Sequence, residues 1–105
     1  MKIFKQLNKK GYKHYYEGTV EELDSMDKDN QHLHSEIMQV IMWLYEKHGI
    51  WIDVSLNQFS KPKDLQWMYS IVFTKDCTYS HSPKSYASPT EAYETAILHT
   101  LNNLV

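Results

Sequence analysis

The apolar residues between positions 31 and 48 repeat with the period of an α-helix. Five of them recur at intervals of three and four and so share one helix face: Leu33, Ile37, Val40, Ile41 and Leu44. Asp29 or Asn30 can cap the first turn, and Gly49 can end the helix. Four further large apolar residues extend around the cylinder: Met38, Met42, Trp43 and Tyr45. We therefore expect this helix to contact more than one neighbour.

Three stretches after residue 49 have the pattern of β-strands. Apolar and polar residues alternate from Ile50 to Leu56, so Trp51 faces away from the apolar side of that strand. Residues 67–74 are rich in aromatic and β-branched residues, which favours a second strand. Residues 77–86 indicate a weaker third strand, which Pro83 confines to an edge of the sheet or to a bulge.

The start of a C-terminal helix is the sharpest local signal in the chain. Ser88 suits the N-cap position, Pro89 the first helical position and Glu91 the third position of a capping box. We expect this helix to end near Asn103. Its predicted buried stripe consists of Tyr93, Ile97, Leu101 and Leu104, and the small residues Ala92 and Ala96 beside that stripe allow close packing on a sheet.

Residues 1–30 differ from the rest of the chain, because a lysine-rich stretch is followed by an acidic one. The apolar residues at positions 3, 4 and 7 predict a short helix that ends near Gly11, and a hairpin turning at residues 8–11 is the alternative. Thr19 and Glu22 fit a capping box, which predicts the start of a second short helix. Residues 24–30 are polar and predict a loop.

These elements predict an α+β fold with the core order α-β-β-β-α. A three-stranded antiparallel sheet carries two main helices on one face, and a short helical N-terminal segment precedes them. A chain of 105 residues fits one domain. Within this domain, residues 1–30 form an N-terminal extension and residues 31–105 form the core.

The charge pattern and the single cysteine restrict the setting in which the chain works. The basic residues are 11 lysines, without any arginine. Arginine supplies the planar donor group that grips phosphate and guanine, so its absence argues against a nucleic-acid partner. Cys77 suits a reducing compartment. The first residues lack the apolar run of a secretory signal, and the apolar stretch 37–45 is too short to span a bilayer. We therefore expect a cytoplasmic protein that does not bind membranes.

The residues with catalytic or metal-binding potential do not form a recognisable site. His32 and Glu36 have a spacing that can share a metal on a helix, but no second ligand pair accompanies them, so surface histidines are the favoured interpretation. Cys77 follows Asp76, whose charge opposes a thiolate nucleophile. The three glycines are scattered, which excludes a phosphate-binding loop. We therefore predict no catalytic, cofactor-binding or metal-binding residue and no enzymatic activity.

Aromatic and methionine side chains provide the remaining candidate site. In one interpretation the N-terminal extension folds back and covers Trp51 with its tyrosines. In the other, the aromatic residues form an exposed patch that binds a partner or a second copy of the chain. The candidate partner surface comprises Tyr12, Tyr15, Tyr16, Trp51, Met38, Met42 and Trp43.

Two segments, Lys47–Ile52 and Tyr86–Ile97, carry a family resemblance. The second contains the Ser-Pro-Thr-Glu-Ala helix start, and the tyrosine-rich stretch 11–18 adds to it. Together they resemble a group of small uncharacterised proteins of phages, prophages and mobile elements in gut Bacteroides-type bacteria. The resemblance covers most of the chain and implies a phage or mobile-element origin. It carries over no site residue, because no activity is established for the group.

The order of the core elements is also similar to that of the double-stranded-RNA-binding domain. Such domains place lysines over the RNA phosphates at the start of the second helix. Here that helix start carries Glu91 and Glu94, whose charges would repel phosphate, and residues 85–105 contain no lysine. The resemblance therefore implies a similar topology without the RNA site.

Taken together, the sequence predicts a small intracellular accessory protein that acts by protein–protein contact. The partner would be an unidentified host or phage protein or a second copy of the chain. The alternative is a nucleic-acid-binding module with the topology of the double-stranded-RNA-binding domain. That alternative requires the lysines of residues 2–13 to align with Lys61 and Lys63 on one face of the molecule.

Overall fold

A computed structural model describes residues 3–105 of the chain. Over these residues the helices and strands follow the order α1 (Ile3–Lys9), α2 (Val20–Asp24), α3 (Gln31–His48), β1 (Ile50–Leu56), β2 (Trp67–Phe73), β3 (Thr78–His81) and α4 (Pro89–Asn103). The arrangement confirms the predicted α+β fold, with its antiparallel three-stranded sheet and its helical N-terminal segment. No helix within the described range is both long and apolar enough to cross a membrane.

The sheet has the strand order β1-β2-β3, and β1 pairs with β2 over its whole length, from Ile50 opposite Phe73 to Leu56 opposite Trp67. One face carries the buried residues Ile50, Ile52, Tyr69 and Ile71. Helix α4 packs across β1 and β2, and α3 lies along β1. The core therefore lies between the sheet and the two long helices.

Both ends of α3 form as the sequence indicates. The side chain of Asn30 accepts a hydrogen bond from the backbone N–H of His32 at 2.8 Å. Gly49 ends the helix with a φ of 65°, in the left-handed region that favours glycine. The five apolar residues of the predicted stripe are all buried. The periodicity of the sequence therefore gives the correct limits and the correct buried face of α3.

The start of α4 forms only half of the predicted capping box. The Ser88 hydroxyl accepts from the backbone N–H of Glu91 at 3.1 Å, and Pro89 occupies the first helical turn. The Glu91 side chain lies 3.3 Å from the Lys28 ammonium group instead of bonding back to the N-cap. The prediction for Glu91 was therefore wrong, because a cation from a distant part of the chain attracts its carboxylate.

The residues at the two ends of the predicted buried stripe of α4 are not fully buried. Tyr93 is only half-buried and Leu104 is exposed, since α4 ends at Asn103. The residues that face the core include the two alanines predicted to allow close packing: Ala92, Ala96, Ile97, Thr100 and Leu101.

The third strand is shorter than the predicted range 77–86. Cys77 belongs to the turn after β2 and has a φ of 60°. The backbone N–H of Ser82 still bonds to Tyr69, but Pro83 lacks an N–H group and the strand ends before it. Pairing returns only as an isolated bridge between Tyr86 and Trp67. Pro83 thus truncates a strand that does lie at a sheet edge, as predicted.

The N-terminal segment contributes to the core. Helix α1 forms, so the hairpin alternative is wrong, and its buried residues Ile3, Phe4 and Leu7 join the same apolar cluster as α3. Its first turn is capped from a distance, because the Asp24 carboxylate accepts from the backbone N–H groups of Phe4 at 2.9 Å and Lys5 at 3.2 Å. The predicted capping box at the start of α2 is complete.

Candidate functional site

The N-terminal segment is attached to α3 through one buried carboxylate, that of Glu36. This residue is only 2% exposed. It accepts hydrogen bonds from the Tyr12 hydroxyl, from the backbone N–H of Tyr15 at 3.0 Å and from the backbone N–H of Tyr16 at 2.7 Å. Three donors offset the cost of burying the charge, because hydrogen bonds to an ionised group are stronger than neutral ones. Residues 12–16 are therefore held in one place on the helix.

Tyr12 takes part in this attachment through both its hydroxyl and its ring. Burial, the hydrogen bond to Glu36 and the charge of Glu36 all raise the pKa of Tyr12, so its hydroxyl keeps its proton and acts as a donor. The ring meets that of Trp43 edge-on, with 5.5 Å between the centroids. Tyr12 therefore belongs to the core, with only 3% of its surface exposed.

A groove of about 290 Å³ lies between this attached segment and the outward side of α3, and we call it the α3 groove. Its lining consists of Gly11, Tyr12, Lys13, Tyr15, Gln39, Met42, Trp43 and Glu46. Tyr15 is 72% exposed and Met42 is also exposed, so two large apolar side chains meet solvent in this groove. It combines four of the seven residues that the sequence proposed as a partner surface.

The size and the chemistry of the α3 groove suit a side chain of another protein. Ligand pockets for cofactors and drug-sized molecules usually have volumes of about 300–1,000 Å³. The α3 groove lies at the lower end of that range and is open to solvent at Tyr15 and Met42. The lining also includes Lys13 and Glu46, which can bond to polar groups around an inserted apolar side chain.

A second depression of about 210 Å³ adjoins the first, and Tyr15 lines both. Tyr16 and His32 belong to this second depression, where their ring centroids lie 5.6 Å apart. The Tyr16 hydroxyl donates to Glu22 at 3.0 Å, which ties the depression to the start of α2. The aromatic residues of the N-terminal segment therefore form one continuous surface on α3.

Two of the predicted partner residues lie elsewhere. Met38 lines a different groove, of about 220 Å³, between α3 and the start of α4. Trp51 is 37% exposed and packs edge-on against Tyr45, with 5.9 Å between the ring centroids. The interpretation in which the N-terminal tyrosines cover Trp51 is therefore wrong, because those tyrosines pack at Glu36 and Trp43 instead.

The sequence singled out Glu36, the central residue of the site, only as a possible metal-binding partner of His32 and not as part of the candidate partner surface. A signal for it exists, because Glu36 follows Leu33 by three positions and precedes Val40 by four. This spacing places it on the buried face of α3. A carboxylate at such a position requires donors from another part of the chain.

The metal hypothesis for His32 and Glu36 gains no support from the geometry. The Glu36 oxygens accept from Tyr12 and the two tyrosine N–H groups, and the His32 ring packs beside Tyr16. Among residues 3–105, no three side chains of His, Cys, Asp or Glu are arranged to hold a metal ion.

Lys10 and the loop that carries Lys61 and Lys63 lie toward opposite ends of α4, while Lys2 lies outside the described residues. The Lys10 ammonium group bonds to the backbone oxygen of Val105, just beyond the end of this helix, at 3.0 Å. Lys61 and Lys63 belong to the loop before β2, which is joined to the residues preceding α4 by the Trp67–Tyr86 bridge. Since α4 has 15 residues, its ends are separated by about 22 Å.

Comparison with known proteins identifies no family for this chain. No protein-family model matches the chain, and neither a curated protein nor a solved structure matches it. The two resemblances noted in the sequence therefore stay predictions, and the functional argument depends on the geometry of this chain alone.

Proposed function

We propose that this chain is a small accessory protein that binds another protein through the α3 groove. The proposal includes a cytoplasmic setting, a phage or mobile-element origin and a role without catalysis. The observation that carries it is the pair of exposed side chains, Tyr15 and Met42, in a groove whose inner wall is packed and hydrogen-bonded through Tyr12. Tyrosine and methionine are enriched where proteins bind other proteins.

The attachment by Glu36 supports this proposal energetically. Binding costs less free energy when a surface is already fixed in its bound shape. The backbone of Tyr15 is held by Glu36, and the Trp43 ring below is packed against Tyr12. A partner would therefore meet a prepared groove and would not have to order the segment 12–16 on binding.

The nucleic-acid alternative has less support, because Lys10 and the loop of Lys61 and Lys63 lie toward opposite ends of α4 and the start of that helix carries acidic residues. A binding experiment that detects both classes of partner distinguishes the two proposals. The nucleic-acid alternative predicts bound material that absorbs at 260 nm and dissociates when salt is added.

The test is a comparison of groove variants in a pull-down from a lysate of a gut Bacteroides-type bacterium. Tyr15→Ser and Met42→Glu each remove an apolar wall of the groove, and both leave the backbone bonds to Glu36 intact. Phe59→Glu is the matched control, because Phe59 is an exposed apolar residue of the loop between β1 and β2. We expect one or more proteins to be captured by the wild type and by Phe59→Glu, and at least about tenfold less by either groove variant.

Mass spectrometry of the eluate and its absorbance at 260 nm provide the readout. Proteins that all three variants retain equally would contradict the groove as the binding site. Bound nucleic acid that elutes at moderate salt would instead favour the alternative function.

A further inference from the structure

The face of the sheet opposite the helices carries a second surface, which a helix reaches at Trp51, through Tyr45 of α3. In the register of the strands, Trp51, Val72 and Tyr79 lie side by side in one row across β1, β2 and β3. Tyr79 is 63% exposed, and Trp51 is partly exposed as well. These side chains point away from the buried residues of the core, and we call this surface the outer sheet face.

The next row of the outer sheet face has a carboxylate at one end and an imidazole at the other. Asp53 on β1 and His81 on β3 flank Ser70 on β2, and both end residues are exposed. The Ser70 hydroxyl lies 3.0 Å from Nδ1 of His81, so Nε2 is the ring nitrogen left to donate to a carboxylate. The face therefore has an acceptor on one edge strand and a donor on the other.

The topology gives this face a particular symmetry. Strands β1 and β3 both run antiparallel to β2, so they run parallel to each other, about 4.8 Å to either side of it. A two-fold axis parallel to β2 can place the outer sheet face of a second copy against the first. It then sets β3 of each copy over β1 of the other, with the two β2 strands face to face.

In that arrangement the chemistry of the two rows is complementary. Asp53 of each copy faces His81 of the other, and Trp51 of each copy faces Tyr79 of the other, while Val72 meets its own equivalent. An axis perpendicular to the strands and through the same row would instead bring the two Asp53 carboxylates together. The pairing of a carboxylate with an imidazole donor, instead of two carboxylates with each other, therefore favours one relative orientation of the copies.

We propose that two copies of this chain associate through the outer sheet face, with their β2 strands facing each other. The proposal goes beyond the function of the α3 groove, because the helices lie on the other side of the sheet and the groove stays open in the dimer. Packed sheets usually cross at an angle of about 30°. At that angle the central rows of the two copies still face each other.

The size of the face indicates how strong this association is. Strand β1 has seven residues, so the face measures about 24 Å along the strands and about 14 Å across them. This corresponds to about 340 Å² per copy, less than half of the ~800 Å² that each partner buries in a stable complex. The dimer is therefore weak and reversible, and it must be measured at high protein concentration.

The test exploits the exchange of charges between the two copies. Asp53→Lys alone would place a lysine opposite His81 of the other copy, and His81→Glu alone would place a glutamate opposite Asp53 of the other copy. In an equimolar mixture of the two variants, each introduced charge faces an opposite one. Sedimentation equilibrium from about 10 µM to 1 mM, near pH 6 where histidine side chains carry substantial positive charge, measures the association.

We expect the wild type to dimerise, each single variant to associate at least about tenfold more weakly, and the mixture to recover the wild-type association. Asp64→Lys and His99→Glu are matched controls, since both residues are exposed and lie outside the face. Recovery in the mixture also shows that both variants are folded.

Three results would overturn the proposal: a wild type that stays monomeric at about 1 mM, a dimer that the single variants leave unchanged, or a mixture that does not recover. If the wild type is monomeric and Asp53→Lys instead removes a protein captured from lysate, the face binds a different protein and not a second copy.

Discussion

The two long helices each bury a glutamate, and the two glutamates have very different surroundings. Glu36 on α3 is 2% exposed and Glu94 on α4 is 7% exposed. Glu36 accepts from three donors of the N-terminal segment. Oε1 of Glu94 is buried without a hydrogen-bond partner among residues 3–105, and the nearest cation, Lys28, lies 3.7 Å from it.

This difference has a direct electrostatic consequence. Burial raises the pKa of Glu94, and the charge of Lys28 opposes that shift only in part, since the Lys28 side chain is itself half exposed. Burial of an acidic residue is therefore not in itself stabilising. The donors around the carboxylate decide whether it holds two parts of the chain together or costs free energy.

The largest expected effect is the loss of the attachment at α3. Glu36→Ala leaves the Tyr12 hydroxyl and the N–H groups of Tyr15 and Tyr16 without their acceptor. Removing one partner of a buried charged network costs about 3–5 kcal/mol, so we expect a decrease of that size in the free energy of unfolding. Urea denaturation followed by circular dichroism measures it. A loss below about 1 kcal/mol would show that Glu36 does not hold the segment.

A smaller effect is expected when only one of the three donors is removed. Tyr12→Phe keeps the ring against Trp43 but deletes the hydroxyl that donates to Glu36. A hydrogen bond to a charged group contributes about 1.5–3 kcal/mol, and this is the expected loss of stability. Tyr79→Phe is the matched control, because it removes an exposed hydroxyl on β3. Equal losses in the two variants would contradict the special role of Tyr12.

The smallest expected effect is a gain in stability instead of a loss. Glu94→Gln removes a buried charge, so we expect the variant to be more stable than the wild type at neutral pH, by less than about 1 kcal/mol. The folded chain binds the Glu94 proton more tightly than the unfolded chain does, because burial raises the pKa. The wild type therefore loses stability as the pH rises above the ordinary range of a glutamate, and the variant lacks this loss.

Denaturation midpoints of the variant and the wild type, measured from about pH 3 to pH 8, test whether Glu94→Gln is stabilising. The difference between variant and wild type should disappear in acid, where the Glu94 carboxyl is protonated in both the folded and the unfolded chain. A variant that is less stable than the wild type at neutral pH would show that Lys28 fully compensates the buried charge.

Local pattern in the sequence predicts most of the elements but not their long-range contacts. The limits of α3 follow from residues within the helix and its caps, and β1 follows from simple alternation. One of the wrong predictions involves a residue far away in the chain. Glu91 leaves its capping box for Lys28, which lies 63 positions away in the chain. Neither the periodicity of apolar residues nor the capping rules can predict a contact between residues so far apart in the chain.

The residues of the candidate site could likewise be predicted only in part. Tyr15, Met42 and Trp43 were recognisable as surplus apolar residues, and the structure brings them to one groove. Their relation to Glu36 was not recognisable, because the donors come from residues 20 to 24 positions earlier in the chain. Composition thus identifies the side chains of a candidate surface, and tertiary hydrogen bonds decide which of them lie together.

The way in which Glu36 holds positions 15 and 16 has a consequence for the evolution of this chain. The carboxylate binds main-chain N–H groups, which every residue except proline can supply. The loop therefore keeps its shape whichever side chain stands at position 15. The side chain at position 15 can change without loss of these two hydrogen bonds, as antibody loops vary on a constant framework.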